Sequence, residues 1–205
     1  MKTILIKVFI FVKSLWKSFL LKLYIRFARE VKIVIGAGNI VEKNWFTTEQ
    51  FFLDVTNEKH FIKFFSKRKI DKIFAEHVLE HLNEDQLDLM LNNFSKYCSQ
   101  KINIRIAVPD GYHKDKSYID IIKPGGTGYG SEDHKMLFNY KNLSAIFKKS
   151  GFIPQLIEYW DENGIFHPGY KDDDKGIVRR SFINDLRNSN GKPNYTSLIV
   201  DFSKR

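Results

Sequence analysis

Residues 73–81, IFAEHVLEH, contain two histidines four positions apart with a glutamate between them. His77, Glu80 and His81 thereby match H-x-x-E-H, a signature of one class of zinc hydrolases. A metal site needs a full ligand set, and the residues that could complete one lie in a later loop: Glu132, Asp133 and His134. No spacing singles out one of these three, and the motif lies at a strand-to-helix junction, so we expect no metal. A metallohydrolase stays as an alternative.

Glycines and acids follow the apolar runs that predict β-strands. Four runs are bounded by turn residues, at 32–36, 51–55, 70–77 and 102–110. Helical patterns lie between them, at about 58–66 and at 83–97, where Asn83 is a candidate N-cap. A long glycine-rich stretch follows at 111–135, then a helix at 139–150 and strands near 155–160 and 195–202. Alternating strands and helices predict a parallel sheet covered on both faces.

In an open parallel sheet, ligands bind beyond the carboxyl ends of the strands. The residues that the four predicted strands deliver there are, in chain order, Gly36, Ala37, Gly38, Asn39, Asp54, Glu76, His77 and Asp110. The glycines let backbone approach a ligand closely. Asp54, which lies 16 residues beyond Gly38, can accept both hydroxyls of a ribose. We therefore expect a bound molecule that carries a ribose.

The positive charge of the chain is concentrated at its start. The net charge over 205 residues is +9, but residues 1–32 hold eight Lys/Arg and one acid, which leaves 25 Lys/Arg and 23 Asp/Glu for the rest. A nearly neutral main body argues against a large phosphate-binding face, so we expect no nucleic-acid partner. The single cysteine, Cys98, excludes an internal disulfide and fits a reducing compartment.

We divide the chain into a basic amphipathic helix over residues 1–31 and one domain over residues 32–205. Apolar residues recur every three or four positions along the helix: Leu5, Phe9, Val12, Trp16, Phe19, Leu23 and Phe27. Lysines interrupt this segment too often for a membrane span. Two interpretations stay open, because the stripe could lie on an anionic membrane surface or pack onto its own domain or a second subunit.

Residues 75–82, AEHVLEHL, resemble the A-x-H-V-L-E-H-L motif of one branch of the class I S-adenosylmethionine (SAM)-dependent methyltransferases. IVIGAGN is similar to the glycine motif of that family, Trp45 and FFLDV to its tryptophan and ribose-binding aspartate, and IRIAVPDG to its fifth strand. The resemblance covers about residues 32–201. It departs from the family pattern at Ile35, where an acid often precedes the glycines, and at residues 99–101, where a Pro-Gly-Gly turn is usual.

The resemblance implies an α/β, Rossmann-like, doubly wound sheet of seven strands, mostly parallel with an antiparallel last strand. It also implies SAM as the cofactor and a set of cofactor-binding residues: Gly36, Ala37, Gly38, Asn39, Asp54, Ala75, Glu76 and His77. Methyl transfer from a sulfonium is a direct displacement, so the protein chiefly positions the acceptor and excludes water. A hydroxyl or amine acceptor needs a base, for which the candidates are Asp110, His113 and His134.

The expected function is therefore methylation of a small-molecule or glycan-type acceptor. The predicted localisation is cytoplasmic, with a peripheral position on the inner face of the membrane if residues 1–30 bind anionic lipid. Three alternatives share part of these features: a non-catalytic binding protein with the methyltransferase fold, a nicotinamide oxidoreductase, and a nucleic-acid methyltransferase.

Overall fold

The computed structural model describes residues 2–38 and 40–205, apart from the side chains of residues 2–5, 7 and 8. The helices in this part of the chain are α1 (Lys2–Phe27), α2 (Glu58–Phe65), α3 (Glu84–Tyr97), α4 (Lys116–Ile122) and α5 (Tyr140–Lys149). The strands are β1 (Lys32–Ile35), β2 (Phe46–Thr47), β3 (Ile70–Glu76), β4 (Cys98–Pro109), β5 (Phe152–Trp160), β6 (Phe166–His167) and β7 (Ser197–Lys204).

The strands form one sheet in the order β2-β1-β3-β4-β7-β5-β6. β2, β1, β3 and β4 run parallel to one another, whereas β7 is antiparallel to both β4 and β5. The predicted α/β sheet with an antiparallel last strand is therefore confirmed. Because β1, β2, β3 and β4 end at the same edge, the residues that follow them lie close together.

Local sequence determines where the helices begin and end. Asn83 caps α3 in a reciprocal pair with Gln86, in which each side chain accepts the backbone N–H of the other residue. Asn139 and Asn142 form the same arrangement at the start of α5. Gly151 follows the last turn of α5 with a left-handed backbone (φ +85°), which glycine adopts without a steric penalty. These boundaries agree with the predicted helices to within one or two residues.

Residues 51–55 do not form the predicted strand. They make turns, in which the N–H groups of Phe52 and Leu53 donate to the carbonyl of Glu49. The strand beside β1 is instead the short β2, paired through Ile33 with Phe46 and through Val34 with Thr47. A short buried apolar run has the same pattern in a strand and in a buried turn, so periodicity could not separate them.

Helix α1 packs on the domain through a face other than the predicted apolar stripe. Ser18, Leu21 and Ile25 are buried, whereas the stripe residues with described side chains are 38–75% exposed: Phe9, Val12, Trp16, Phe19, Leu23 and Phe27. The interpretation that the stripe packs onto its own domain is therefore wrong. Phe11 and Leu15, which lie outside the stripe, are exposed as well, so a simple two-faced helix is not confirmed. No helix in the described part of the chain is long and apolar enough to cross a bilayer.

Candidate functional site

Two cavities open at the carboxyl edge of the parallel strands and meet at Gly36 and His77. The larger one, here the arginine cavity, has a volume of about 610 Å³ and is lined by the glycine turn, Glu76 and three arginines: Arg179, Arg180 and Arg187. The smaller one, here the acidic cavity, has a volume of about 380 Å³ and is lined by residues that include Glu49, Asp54, His81 and Asp133. Both volumes lie within the range of small-molecule sites.

The glycine turn after β1 forms the boundary between the cavities. Gly36 and Gly38 have left-handed backbones, with φ values of +59° and +51°. A Cβ atom on Gly36 would lie 2.7 Å from a methyl carbon of Val78, whereas a Cβ on Gly38 would meet no atom within 4 Å. Gly36 is therefore required by packing, and Gly38 leaves open space at the arginine cavity. Ala37 also lines that cavity, and Asn39 lies outside the described residues.

Three carboxylates line the acidic cavity: Glu49, Asp54 and Asp133. Of Glu49 and Asp54, only Asp54 was predicted from the sequence to contact a ribose. One oxygen of Asp54 accepts hydrogen bonds from the backbone N–H and the hydroxyl of Thr56, at 2.9 and 2.8 Å. Glu49 follows the carboxyl end of β2, where the Thr48 N–H donates to the Val34 carbonyl. The carboxylate of Glu49 has no hydrogen-bond or ion-pair partner within residues 2–38 and 40–205, so it is the freer acceptor of the two.

The end of β3 places Glu76 and His77 in the walls of the cavities. His77 has a left-handed backbone (φ +54°), which is strained for a residue other than glycine. Burial, assisted by the positive charge of Arg180, holds the pKa of His77 well below its usual value, so the ring is neutral. Burial raises the pKa of Glu76, and one of its oxygens accepts the backbone N–H of Arg180. Ala75 is buried in the sheet and lines neither cavity.

None of the three predicted proton acceptors lines either cavity, and two of them, Asp110 and His113, are buried together elsewhere in the domain. Asp110 is fully buried, and its two oxygens accept the backbone N–H groups of Tyr112 and Trp160. Burial raises the pKa of Asp110 to about 7. The ring of His113 stacks on Tyr118 at 4.0 Å between centroids, and its Nε2–H donates to the Pro193 carbonyl. Asp110 and His113 thus belong to one buried cluster with Tyr118 and Trp160.

The third candidate, His134, lies beside the opening motif of the sequence. Its ring is 4.8 Å from the ring of His81, and its Nε2 is 4.0 Å from Oε1 of Glu80. Burial raises the pKa of Glu80 to about 8. The fold therefore brings together Glu80, His81 and His134, which come from two distant segments. From the sequence, His134 was only one of three residues that could complete the ligand set of this motif, together with Glu132 and Asp133.

Comparisons with known proteins give structural likenesses at low sequence identity. No protein-family model matches the chain, and no curated protein matches it. A SAM-dependent methyltransferase from Archaeoglobus fulgidus is 16% identical, with 94% of each chain covered and a TM-score of 0.46. A SAM-dependent methyltransferase from Anabaena variabilis is 12% identical over 90% of this chain and 72% of its own, with a TM-score of 0.46.

A further similar structure is a variant of LepI in complex with S-adenosylhomocysteine (SAH) and a substrate analogue. It is 10% identical over 90% of this chain, with a TM-score of 0.48, and this chain spans about 39% of the LepI chain. LepI has also been solved in complex with SAM. At these identities and scores the likenesses define neither a family nor an activity for this chain, whose chemistry has to be argued from its own residues.

Proposed function

We propose that this chain binds SAM at the edge where the two cavities meet and transfers its methyl group to a small-molecule or glycan-type acceptor. One observation carries the proposal: the turn after β1 leaves open glycine backbone at Gly38, and Gly36 of the same turn lines a cavity together with Glu49 after β2, whose carboxylate has no partner among the described residues. Backbone accessible to a ligand, next to a carboxylate on the adjacent strand, is the arrangement that holds a ribose-containing cofactor. The two cavities also provide the volume that such a ligand needs.

In this proposal the residues of the chain bind and position the reactants. Glu49 and Asp54 accept the ribose hydroxyls, while the backbone of residues 36–38, with Glu76 and His77, lines the rest of the cofactor site. Bound SAM supplies an electrophilic methyl group on a sulfonium. In the arginine cavity Arg187 is already paired with Asp185, and the charges of Arg179 and Arg180 favour an acceptor that carries an acidic group. In the metal-free protein, His134 is the proposed proton acceptor, because its neighbours Asp133 and Lys135 line the acidic cavity.

Replacing Glu49 with alanine is expected to weaken SAH binding by about tenfold or more, since a hydrogen bond to a charged group contributes about 1.5–3 kcal/mol. Asp54→Ala is expected to have a smaller effect, because Thr56 already occupies one of its oxygens. Isothermal titration calorimetry of the full chain with SAH, and with NAD for comparison, measures both. Asp120→Ala, which removes an exposed carboxylate of α4, is the matched control.

Two of the alternative functions predict a different result in this titration. No SAH binding at millimolar ligand, in protein shown to be folded by circular dichroism, would contradict the proposal and favour a non-catalytic protein. Binding of NAD in place of SAH would favour an oxidoreductase. If Asp54→Ala abolishes SAH binding and Glu49→Ala leaves it unchanged, then Asp54, and not Glu49, makes the contact with the ribose.

We also propose that the N-terminal helix, which packs on the domain of residues 32–205 through Leu21 and Ile25, holds this domain at the inner face of a membrane. The supporting observation is that the aromatic side chains of Phe9, Trp16 and Phe19 are exposed along a helix rich in lysine and arginine. Such a surface suits the boundary between acyl chains and anionic headgroups. An acceptor at the membrane surface would then be within reach of the domain.

The double variant Trp16→Ser/Phe19→Ser is expected to lose most of its binding to vesicles that contain an anionic phospholipid. Both side chains are exposed, so the variant keeps its fold, unlike a deletion that would remove the buried Leu21 and Ile25. Ile165→Ser, which changes an exposed apolar residue before β6, is the control. Cosedimentation measures the bound fraction, and equal cosedimentation of the double variant and the parent chain would contradict the membrane proposal.

A further inference from the structure

The cluster of Glu80, His81 and His134 has the composition of a metal site. One side-chain ligand atom from each residue lies within 4.8 Å of those of the other two. The cluster is assembled by backbone hydrogen bonds, because the N–H groups of Lys135 and Met136 both donate to the carbonyl of Glu80. These contacts hold the segment that carries His134 against the short turn Leu79–His81 that follows β3.

Some polar side-chain atoms of the cluster make no hydrogen bond within the described part of the protein. Glu80 is 1% exposed, yet neither carboxylate oxygen has a hydrogen-bond partner among the residues that the structure describes. Nδ1 of His81 is likewise buried and makes no hydrogen bond within the same part of the chain. A buried carboxyl group without a hydrogen bond is costly unless a proton or a cation neutralises it. Within the described residues, the lone pairs of these atoms are therefore open to an electron-pair-accepting group.

The ring of His134 is oriented as a ligand. Its Nδ1 lies 2.7 Å from the carbonyl oxygen of Ile122, which accepts the proton on that nitrogen. The other nitrogen, Nε2, then carries a lone pair on the side of the ring that faces Glu80. An outer hydrogen bond to a backbone carbonyl that fixes the tautomer of the ring is the usual arrangement of histidine ligands in metal sites.

We propose that Glu80, His81 and His134 bind one divalent transition-metal ion. Two imidazoles and one carboxylate form a donor set suited to Zn²⁺, Co²⁺ and similar ions, and ill suited to Mg²⁺. Asp133, whose Oδ2 lies 3.4 Å from Nδ1 of His81, can supply a fourth ligand. The side-chain ligand atoms have to move closer together to form metal bonds of about 2.0–2.1 Å. His81 is only partly buried, so its ring has room to rotate.

The site would open onto the acidic cavity, because His81 and Asp133 both line that cavity. An oxygen of an acceptor bound there could take a remaining coordination position. His77 also lies near the carboxylate of Glu80, with Nδ1 3.3 Å from Oε1 of Glu80, although the two groups form no hydrogen bond in the structure. With metal bound, His134 is a ligand and no longer a proton acceptor. The inference goes beyond the proposed cofactor site and does not depend on it.

Titration of the tag-free full chain with Co²⁺, after treatment with a chelator, tests the proposal. We expect one equivalent of Co²⁺ to bind, to give visible absorption bands, and to be displaced by Zn²⁺ but not by Mg²⁺. Glu80→Gln and His134→Ala are each expected to weaken Co²⁺ binding by at least about tenfold, as is His81→Ala, which changes the more exposed ligand. His167→Ala is the matched control, since His167 lies 2.9 Å from Asp161 in a histidine–carboxylate pair away from the cluster.

Circular dichroism of each variant distinguishes lost binding from lost folding, and the near-isosteric Glu80→Gln change is the least disruptive of the three. Saturable binding that these variants weaken and His167→Ala leaves unchanged would support the site. Absence of Co²⁺ and Zn²⁺ binding up to millimolar concentration in the folded parent chain would overturn it. Binding that survives Glu80→Gln and His134→Ala in folded protein would also overturn it. SAH titration gives a separate readout, so failure of one proposal does not imply failure of the other.

Discussion

Asp201→Ala is expected to lower the free energy of unfolding by up to about 3–5 kcal/mol, because it would remove the fully buried one of the two carboxylates that pair with the buried Arg105. Arg105 on β4 and Asp201 on β7 are paired across the two central antiparallel strands, and both are 2% exposed. The guanidinium donates to both oxygens of Asp201 at 2.8 and 3.0 Å, and to Asp173 at 2.6 and 3.1 Å. The paired carboxylates hold the pKa of Arg105 above its usual value, so the arginine stays charged.

Urea-induced unfolding measures this loss, with Asp120→Ala as the control. Asp120 pairs with Lys123 at 2.7 Å, but both side chains are largely exposed, so its removal is expected to cost about 0–1 kcal/mol. The double variant Arg105→Met/Asp201→Leu removes both buried charges and is expected to recover part of the stability lost by Asp201→Ala. Equal losses for Asp201→Ala and Asp120→Ala would show that the buried network stabilises no more than a surface pair.

The Arg105 network also shows what the sequence could not reveal. Arg105 stands in the run INIRIAV, and Asp201 in the run LIVDF, so each is a charged residue within a strand that is otherwise apolar. Either residue alone has the pattern of a strand with one solvated position. Only the antiparallel pairing of β4 with β7 shows that the two charges face each other in the core, and that pairing is a property of the sheet order.

Local signals predicted most of the elements correctly. The apolar runs before Gly36 and His77, and the N-cap at Asn83, depend on neighbouring residues alone, and the structure reproduces them. Glu49 had no comparable signal in the sequence, because Asp54 ends a longer apolar run than Glu49 does. Strand β2 contains only two residues, which is too short to give a periodic signal.

Prediction from the sequence has a similar limit for the first helix. The helix itself is predicted correctly, but periodicity cannot show which of its faces packs on the domain. Polar contacts of α1 with the domain decide it. The hydroxyl of Tyr24 accepts the backbone N–H of Lys32 at 2.9 Å and lies 3.1 Å from the carbonyl oxygens of Lys32 and Asn44, one of which accepts its proton. The amine of Lys63 donates to Ser18. Polar anchors on one side therefore determine the docked face, and the apolar stripe is left exposed.

Gly36→Ala is expected to destabilise the protein by about 2–4 kcal/mol, through the left-handed backbone and the close approach of Val78. Gly38→Ala shares the backbone cost but meets no atom within 4 Å, so about 1–2 kcal/mol is expected for it. Val78 is a stiff β-branched residue and cannot rotate its methyl groups away freely. The double variant Gly36→Ala/Val78→Ala should therefore recover the packing part of the loss, apart from the cost of truncating Val78.

The same pair of glycines separates packing from ligand binding. Because the methyl group of Gly38→Ala would project into open space at the arginine cavity, this variant is expected to stay folded and yet to bind SAH about tenfold or more weakly. Urea-induced unfolding and SAH titration of both variants provide the two readouts. Unchanged SAH affinity in folded Gly38→Ala would place the cofactor away from this turn. Equal destabilisation by the two variants would mean that Val78 yields to the new methyl group, and that Gly36 is needed only for its backbone conformation.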